Sequence, residues 1–385
     1  MGMFLIEKTW DDERLKRDRI RNLQASMREA NVGALYLTDR INVRYVLNLR
    51  IPGGTAFVPA QGEPVVFVRS MDEGYVGLAH SDVRRITYRV DPSDSEADEK
   101  ALKWAGELNG LMQEFGVAGQ VLGIDNMDPV AFMALGRREI PLMSALKVIE
   151  PSKTVKTQDE ILIYKELAKL YGSIMRAFRD EMAPGMSEEE MISLISARVV
   201  ELGAEGLLQI NVCSGENMNP WRRWPTERRF QDGDLVGLDL HVYGPGGYIF
   251  DSSRTYLCGD KASDKQRDLY RRAYEYVNAV ISLLRPGLPI AEFKASLPPV
   301  PERFRKLLYS FHIAHSNGLT PGEYPSIMKH QKDVPDTLKK DQILSVDCYF
   351  GEEGDDVAVK LEDQVLITDK GAAKMADMPY EDRLL

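Results

Sequence analysis

At 385 residues, with 44% hydrophobic and 28% charged residues, the chain is long for one core and natural for two globular domains. Its net charge of -10 argues against a nucleic-acid partner or an anionic-membrane partner, since both need basic patches. No apolar run reaches a membrane span, residues 1–7 are too short and too early charged for a secretory signal, and Cys213, Cys258 and Cys348 are odd in number and far apart; together these predict a cytoplasmic protein.

Residues 11–31 carry Leu15, Ile20, Leu23 and Met27 at roughly helical spacing. Residues 32–38 read as a buried strand, and 39–45 as a turn region holding Asn42 and Tyr45. Residues 56–59 and 64–68 read as strands around the Gln61-Gly62-Glu63 turn, followed by a helix over about 96–115 and a strand over 120–125. This alternation describes an α/β domain over 1–152, with the boundary near Pro151-Ser152-Lys153. Beyond it, Thr157 with Glu160, Ser187 with Glu190 and Ser263 with Gln266 form capping boxes that open three helices. Residues 235–240 and 248–257 read as strands joined through Gly244-Pro245-Gly246-Gly247, and 343–350 and 357–368 as the last two. Paired helices followed by paired strands predict an α+β domain over 153–385, its helices covering a curved antiparallel sheet.

Within that second half stand Asp239, Asp251, His315, Asp347 and Glu362, spaced like the ligands of a carboxylate-rich metal site. Four carboxylates and one imidazole make a hard, mostly oxygen donor set, suited to two neighbouring divalent ions of Fe, Mn, Co or Zn. The glycine-rich hairpin could set Asp239 opposite Asp251, and Asp347 and Glu362 repeat the arrangement around Gly351-Glu352-Glu353-Gly354. The plainer alternative leaves these acids solvated or paired with Arg254 and Lys360.

Gly233-Asp234, Asp239, the Asp251-Ser252-Ser253-Arg254-Thr255 run, His315 with Gly318-Leu319, Glu323 and Pro325, and Val359 to Asp363 come in an order that resembles the pita-bread metalloenzymes of the M24 peptidase family. The family includes methionine aminopeptidase, prolidase and creatinase. The resemblance covers nearly the whole chain, residues 32–45 looking like a creatinase-type N-terminal domain. It implies that Asp239 and Asp251 are metal ligands, His315 the imidazole ligand and Glu362 a bridging carboxylate, with Asp347 where the family usually has glutamate. Peptidases of the family usually carry one histidine before the Gly-Asp turn and another before the Glu-x-Pro segment. Here those places fall in Asn219-Pro220-Trp221-Arg222 and at Gly322. Asn219-Pro220-Trp221, the Lys360-Leu361-Glu362-Asp363-Gln364-Val365-Leu366-Ile367-Thr368 run and the twelve-residue step from Asp239 to Asp251 resemble the prolidase-fold lyases that cleave dimethylsulfoniopropionate. That branch has an extra aspartate ligand where this chain has His241, and a proposed catalytic aspartate at the place of Pro321 or Gly322.

His241 alternates with Asp239 on one strand face, so it is a candidate sixth ligand, general base or structural histidine. Glu323 and Tyr309 are further candidates for proton transfer, and Tyr349 for the pocket wall. His312 is assigned to packing, and His80 and His330 to the surface. Trp221 and Trp224 with Arg222, Arg223, Arg228 and Arg229 could hold a small zwitterion, an aromatic face being worth about 2 kcal/mol to a desolvated onium group; in the plainer reading Trp221 packs in the core and the arginines pair with Glu227 and Asp232. The expected function is lyase chemistry on a small onium or amino-acid-like carboxylate, by a homodimer. The alternatives are hydrolysis of a C–N bond in an Xaa-Pro dipeptide or creatine-like compound, and a binding module without catalysis.

Overall fold

The computed structural model describes residues 6–51, 53–79, 84–87, 96–221, 224–332 and 336–385. His80, Arg222 and Arg223 lie outside the described residues. Contacts divide the chain into two units, Asp11–Lys153 and Thr154–Leu385, the described residues before Asp11 grouping with the second.

The first unit runs through α1 (Asp12–Glu29), β1 (Val32–Leu37), α2 (Arg40–Leu47), β2 (Thr55–Pro59), β3 (Val65–Val68), α3 (Ser70–Ala79), β4 (Arg84–Thr87), α4 (Ala97–Glu114), β5 (Val121–Ile124), α5 (Pro129–Gly136), β6 (Leu142–Ser144) and α6 (Leu146–Lys153). Its strands make one mixed sheet in the order β4-β3-β2-β1-β5-β6. Leu35, Leu37, Val58 and Val66 pack with Leu23 and Met27 of α1. Tyr36, Phe57 and Phe67 pack with Trp104 and Leu108 of α4 on the other face. With both faces covered, every residue of β1 is buried, as its unbroken apolar run requires. Asn42 and Tyr45, read as near a turn, lie in α2 instead, because Asp39 caps that helix through Ile41 N at 2.8 Å. Pro151 sits inside α6.

The second unit comprises α7 (Gln158–Glu181), α8 (Glu188–Glu201), β7 (Gly206–Ser214), β8 (Leu235–Tyr243), β9 (Ile249–Leu257), α9 (Asp264–Leu283), α10 (Ile290–Ala295), α11 (Glu302–Leu308), β10 (Ala314–Asn317), β11 (Pro321–Ile327), β12 (Ile343–Gly351), β13 (Ala358–Thr368) and β14 (Gly371–Lys374). All three expected capping boxes form, at the starts of α7, α8 and α9. The strands make one antiparallel sheet, β11-β10-β12-β13-β9-β8-β7, with β14 beside β13. Its two faces differ in chemistry because alternate residues point to opposite sides. Leu344, Val346, Cys348, Val359 and Leu361 pack into the core with Tyr270, Val277 and Val280 of α9. On β8 and β9, the Tyr171 hydroxyl of α7 lies within reach of the Leu240 carbonyl, at 2.8 Å, and of the Ser252 carbonyl. The opposite face carries Asp239, His241, Asp251, Asp347, Lys360 and Glu362.

Glu188, fully buried at the start of α8, ties down the segment that leads from β7 to Trp221. It accepts from the backbone and hydroxyl of Ser214, both at 2.8 Å, from Asn217 Nδ2 at 3.0 Å, and from Thr226 N and Oγ1 at 2.9 and 2.8 Å. E188A would strand two backbone donors, that of Ser214 buried and that of Thr226 partly buried. At ~1–3 kcal/mol for each, we expect a loss of about 3 kcal/mol in urea unfolding. A loss below roughly 0.5 kcal/mol would show that water replaces the carboxylate.

Candidate metal centre

Cross-strand register assembles the cluster. Asp347 faces Glu362 directly across β12 and β13, and Glu362 faces Ser253 of β9. The residue facing Asp251 is His241; Asp239 faces Ser253 and so stands diagonal to Asp251 rather than opposite it. His315 enters from β10, paired there with Ser345 of β12.

The five side chains expected as ligands, together with His241, line one pocket of about 210 Å³. Two triads share Asp251: Asp239, His241 and Asp251, and Asp251, His315 and Glu362, the donor atoms of each lying within 4.8 Å of one another. His241 Nε2 is 3.0 Å from Asp251 Oδ1, and His315 Nε2 is 3.7 Å from Asp251 Oδ2 and 3.6 Å from Glu362 Oε1. Lys360, 3% exposed at its side chain, reaches into the same cluster. Its Nζ lies 3.2 Å from Asp239 Oδ2, 3.4 Å from Asp347 Oδ1 and 3.1 Å from Glu362 Oε2. The pairing of the acids with Lys360 is therefore real, whereas Arg254 binds Asp363 at 2.5 Å instead.

Proton affinities register the crowding. Burial pushes the Asp347 carboxyl up to about 8, and burial together with Glu362 raises that of Asp251. Burial would raise Glu362 as well, but Lys360 and His315 outweigh it and hold that carboxyl below its ordinary range. For the two imidazoles burial acts downward and is overcome. Asp251 lifts His241 to about 9, and Glu362 with Asp251 lifts His315 to about 9. Burial likewise opposes the Lys360 charge, yet Asp239, Asp347 and Glu362 hold its pKa well above the ordinary value.

These donors fit a divalent cation. Asp239 Oδ1, Asp251 Oδ1, Asp347 Oδ1 and Glu362 Oε1 are buried and accept no hydrogen bond among the described residues. Leaving such acceptors without a hydrogen bond is expensive, and a cation satisfies them without needing a proton. Binding would displace the protons from His241 and His315 where those side chains serve as ligands.

Other candidates lie elsewhere. Glu323 is committed to Lys156 at 3.2 Å, both side chains 1% exposed, and accepts from Leu319 N at 3.0 Å; it braces a turn and does not enter the pocket. Tyr309 packs against the hydrophobic core with its ring edge-on to His330 at 5.7 Å, outside the pocket. Tyr349 gives its hydroxyl to the Met218 carbonyl at 2.6 Å, and its ring backs Trp221 and Phe311 without joining the wall. Trp221 lines the pocket, but Trp224 is 82% exposed, since Thr226 ties the following residues to Glu188. Arg228 pairs with Asp234 and Glu216, and Arg229 with Glu190, rather than with Glu227 or Asp232. His312, assigned to packing, stands on the pocket wall, its ring 5.1 Å from that of His315. Gln209, Asn211 and Phe311 also line the pocket. Gln209 and Asn211 are not among the candidates drawn from the sequence, although their two-residue spacing puts them on one face of β7.

The model of metallopeptidase family M24 matches residues 163–369, more than half of the chain. The chain belongs to this family. The creatinase/prolidase N-terminal domain model matches residues 19–158 of this M24 protein. Among relatives, the dimethylsulfoniopropionate lyase DddP of Roseovarius nubinhibens is 24% identical, covering 97% of this chain and 88% of its own. The Xaa-Pro dipeptidase of Pyrococcus furiosus is 21% identical, covering 95% and 99%. Dipeptidase PepE from Mycobacterium ulcerans has the same fold, with a TM-score of 0.80 at 21% identity over 97% of this chain and 98% of that one. The α+β architecture is the pita-bread fold of prolidases, preceded by a creatinase-type domain. No helix among the described residues is long and apolar enough to cross a membrane.

Adding Mn2+ at a hundredfold excess over its dissociation constant should stabilise the protein by ~2.7 kcal/mol in urea unfolding. E362Q should abolish that gain. An undiminished gain in E362Q would place the ion elsewhere.

Proposed function

We propose that this M24 protein is a divalent-metal-dependent lyase acting on a small onium carboxylate such as dimethylsulfoniopropionate. The observation that carries the reading is the pocket wall. The Asn219-Pro220-Trp221-Arg222 segment and Gly322 stand where the family's peptidases usually have histidines, and Trp221 and Gly322 line the pocket beside the carboxylate cluster. The wall there offers an aromatic face and a bare backbone edge in place of two imidazoles. A pocket of about 210 Å³ suits a substrate smaller than the drug-sized ligands that fill ~300–1,000 Å³ sites. The 24% likeness to a dimethylsulfoniopropionate lyase along nearly the whole chain supports the same reading.

A divalent ion held by the cluster would polarise the substrate carboxylate and raise the acidity of the adjacent C–H. Trp221 and Phe311 line the pocket, and an aromatic wall suits an onium group. His312 is the base in this scheme. Burial and the neighbouring His315 lower its pKa, so at neutral pH it is an uncharged acceptor at the wall. It takes the proton from the carbon next to the carboxylate. The electron pair forms the C=C bond, and the sulfide leaves with the electrons of the C–S bond.

Hydrolysis of a C–N bond is the second reading, favoured by the full-length likeness to dipeptidases and by the two imidazoles, His241 and His312, that do line the pocket. Metal-loaded protein incubated with dimethylsulfoniopropionate should release dimethyl sulfide and acrylate in equal amounts. H312A should slow that release by about 10²–10⁴-fold. Proline freed from Xaa-Pro dipeptides, with no sulfide in the headspace, would transfer the assignment to the hydrolase.

A further inference from the structure

Beside the carboxylates, the same face of the sheet carries a row of small side chains. Asn211, Asp239 and Ser253 stand abreast on β7, β8 and β9, and the next row on that face is Cys213, Gly237 and Thr255. A glycine inside a strand weakens it and often marks a place where another group comes close. Gly237 has no positive φ, so this position requires space and not an unusual backbone. What fills the space is Trp221. A Cβ at position 237 would lie 2.7 Å from Trp221 Cη2, 2.8 Å from its Cζ3 and 3.1 Å from Met218 Cε.

The indole is held in that seat. Just before it, Asn219 Nδ2 donates to the Glu352 carbonyl at 2.8 Å, and the Tyr349 hydroxyl donates to the Met218 carbonyl at 2.6 Å. The Tyr349 ring meets the indole at 77°, with centres 6.2 Å apart. An indole pushed off Gly237 would move into the pocket that it lines.

We propose that Gly237 is a positioning residue for substrate size: by seating the Trp221 indole deeply it leaves room over the metal cluster for the methyl groups of an onium substrate. The proposal rests on the onium-carboxylate reading given above. Ordinary carbon–carbon contact is about 3.5–4.0 Å, so a methyl group at 237 would lift the ring by roughly 1 Å. A bare ammonium would tolerate that loss of space, and a trimethylated one would not.

Calorimetry on the metal-loaded protein tests this with glycine and trimethylammonioacetate, which share a carboxylate and cannot undergo the elimination. G237A should weaken trimethylammonioacetate by about tenfold or more, the scale on which pockets sense a methylene group, and glycine by less than about threefold. G237A/W221F should recover the trimethylammonioacetate affinity, because phenylalanine lacks the two ring carbons that reach position 237. In urea unfolding, the drop in midpoint caused by G237A should likewise shrink by at least half when residue 221 is phenylalanine. W221F alone should favour triethylammonioacetate over the trimethyl compound at least threefold more than the wild type does, a comparison that holds even where G237A fails to fold. Equal weakening of glycine and trimethylammonioacetate in G237A, an undiminished urea effect in the double variant, or unchanged selectivity in W221F would each overturn the role of Gly237. Failure of both probes to bind the wild type would instead overturn the onium-carboxylate reading, and the selectivity assigned to Gly237 with it.

Discussion

Four carboxylates gathered on one buried face of a sheet repel one another, and each costs several kcal/mol to bury without a compensating charge. Everything else in the catalytic unit is arranged around that problem. Lys360 supplies one permanent positive charge within 3.4 Å of three of the acids. His241 and His315 supply two more wherever they keep their protons, and the raised proton affinity of Asp347 shows that burial still weighs on the cluster. Such a site is poised for cations: the same buried oxygens that lack a hydrogen bond among the described residues are the ones a metal would use.

The opposite face of the sheet holds these strands in place. Leu344, Val346, Val359 and Leu361 are fully buried there. Behind Glu362, Arg254 donates to the Glu362 carbonyl at 2.8 Å and to Asp363 at 2.5 Å, and Thr255 Oγ1 donates to the Lys360 carbonyl at 2.8 Å. The backbone carrying Lys360, Glu362 and Asp363 is thereby fixed, while the side chains of Lys360 and Glu362 on the front remain available for chemistry. Rigid strands, more than loops, position such a cluster to the tolerance that catalysis needs.

Much of this was legible residue by residue. The three capping boxes are local hydrogen-bonding devices, so Thr157, Ser187 and Ser263 announce the starts of their helices from four residues each. The strands of Asp239, Asp251, Asp347 and Glu362 were readable because each carries enough apolar neighbours to betray a buried segment. β10 was not, since Ala-His-Ser-Asn has no hydrophobic pattern and becomes a strand only by pairing with β11 and β12. Glu323 and Tyr309 read as proton-transfer candidates and Trp224 as a substrate contact, but Lys156 stands against Glu323, Tyr309 packs on the core and Trp224 is exposed.

From the amino-acid order alone follow the donor types, their succession and, for Asp239, Asp251, Asp347 and Glu362, a place on a strand, because alternation and capping are properties of short stretches of chain. Folding was needed to set His241 rather than Asp239 opposite Asp251, to bring His312 into the pocket, and to place the Lys360 ammonium among Asp239, Asp347 and Glu362. Those outcomes depend on the register between strands and on contacts between residues far apart in the chain, which no local pattern encodes.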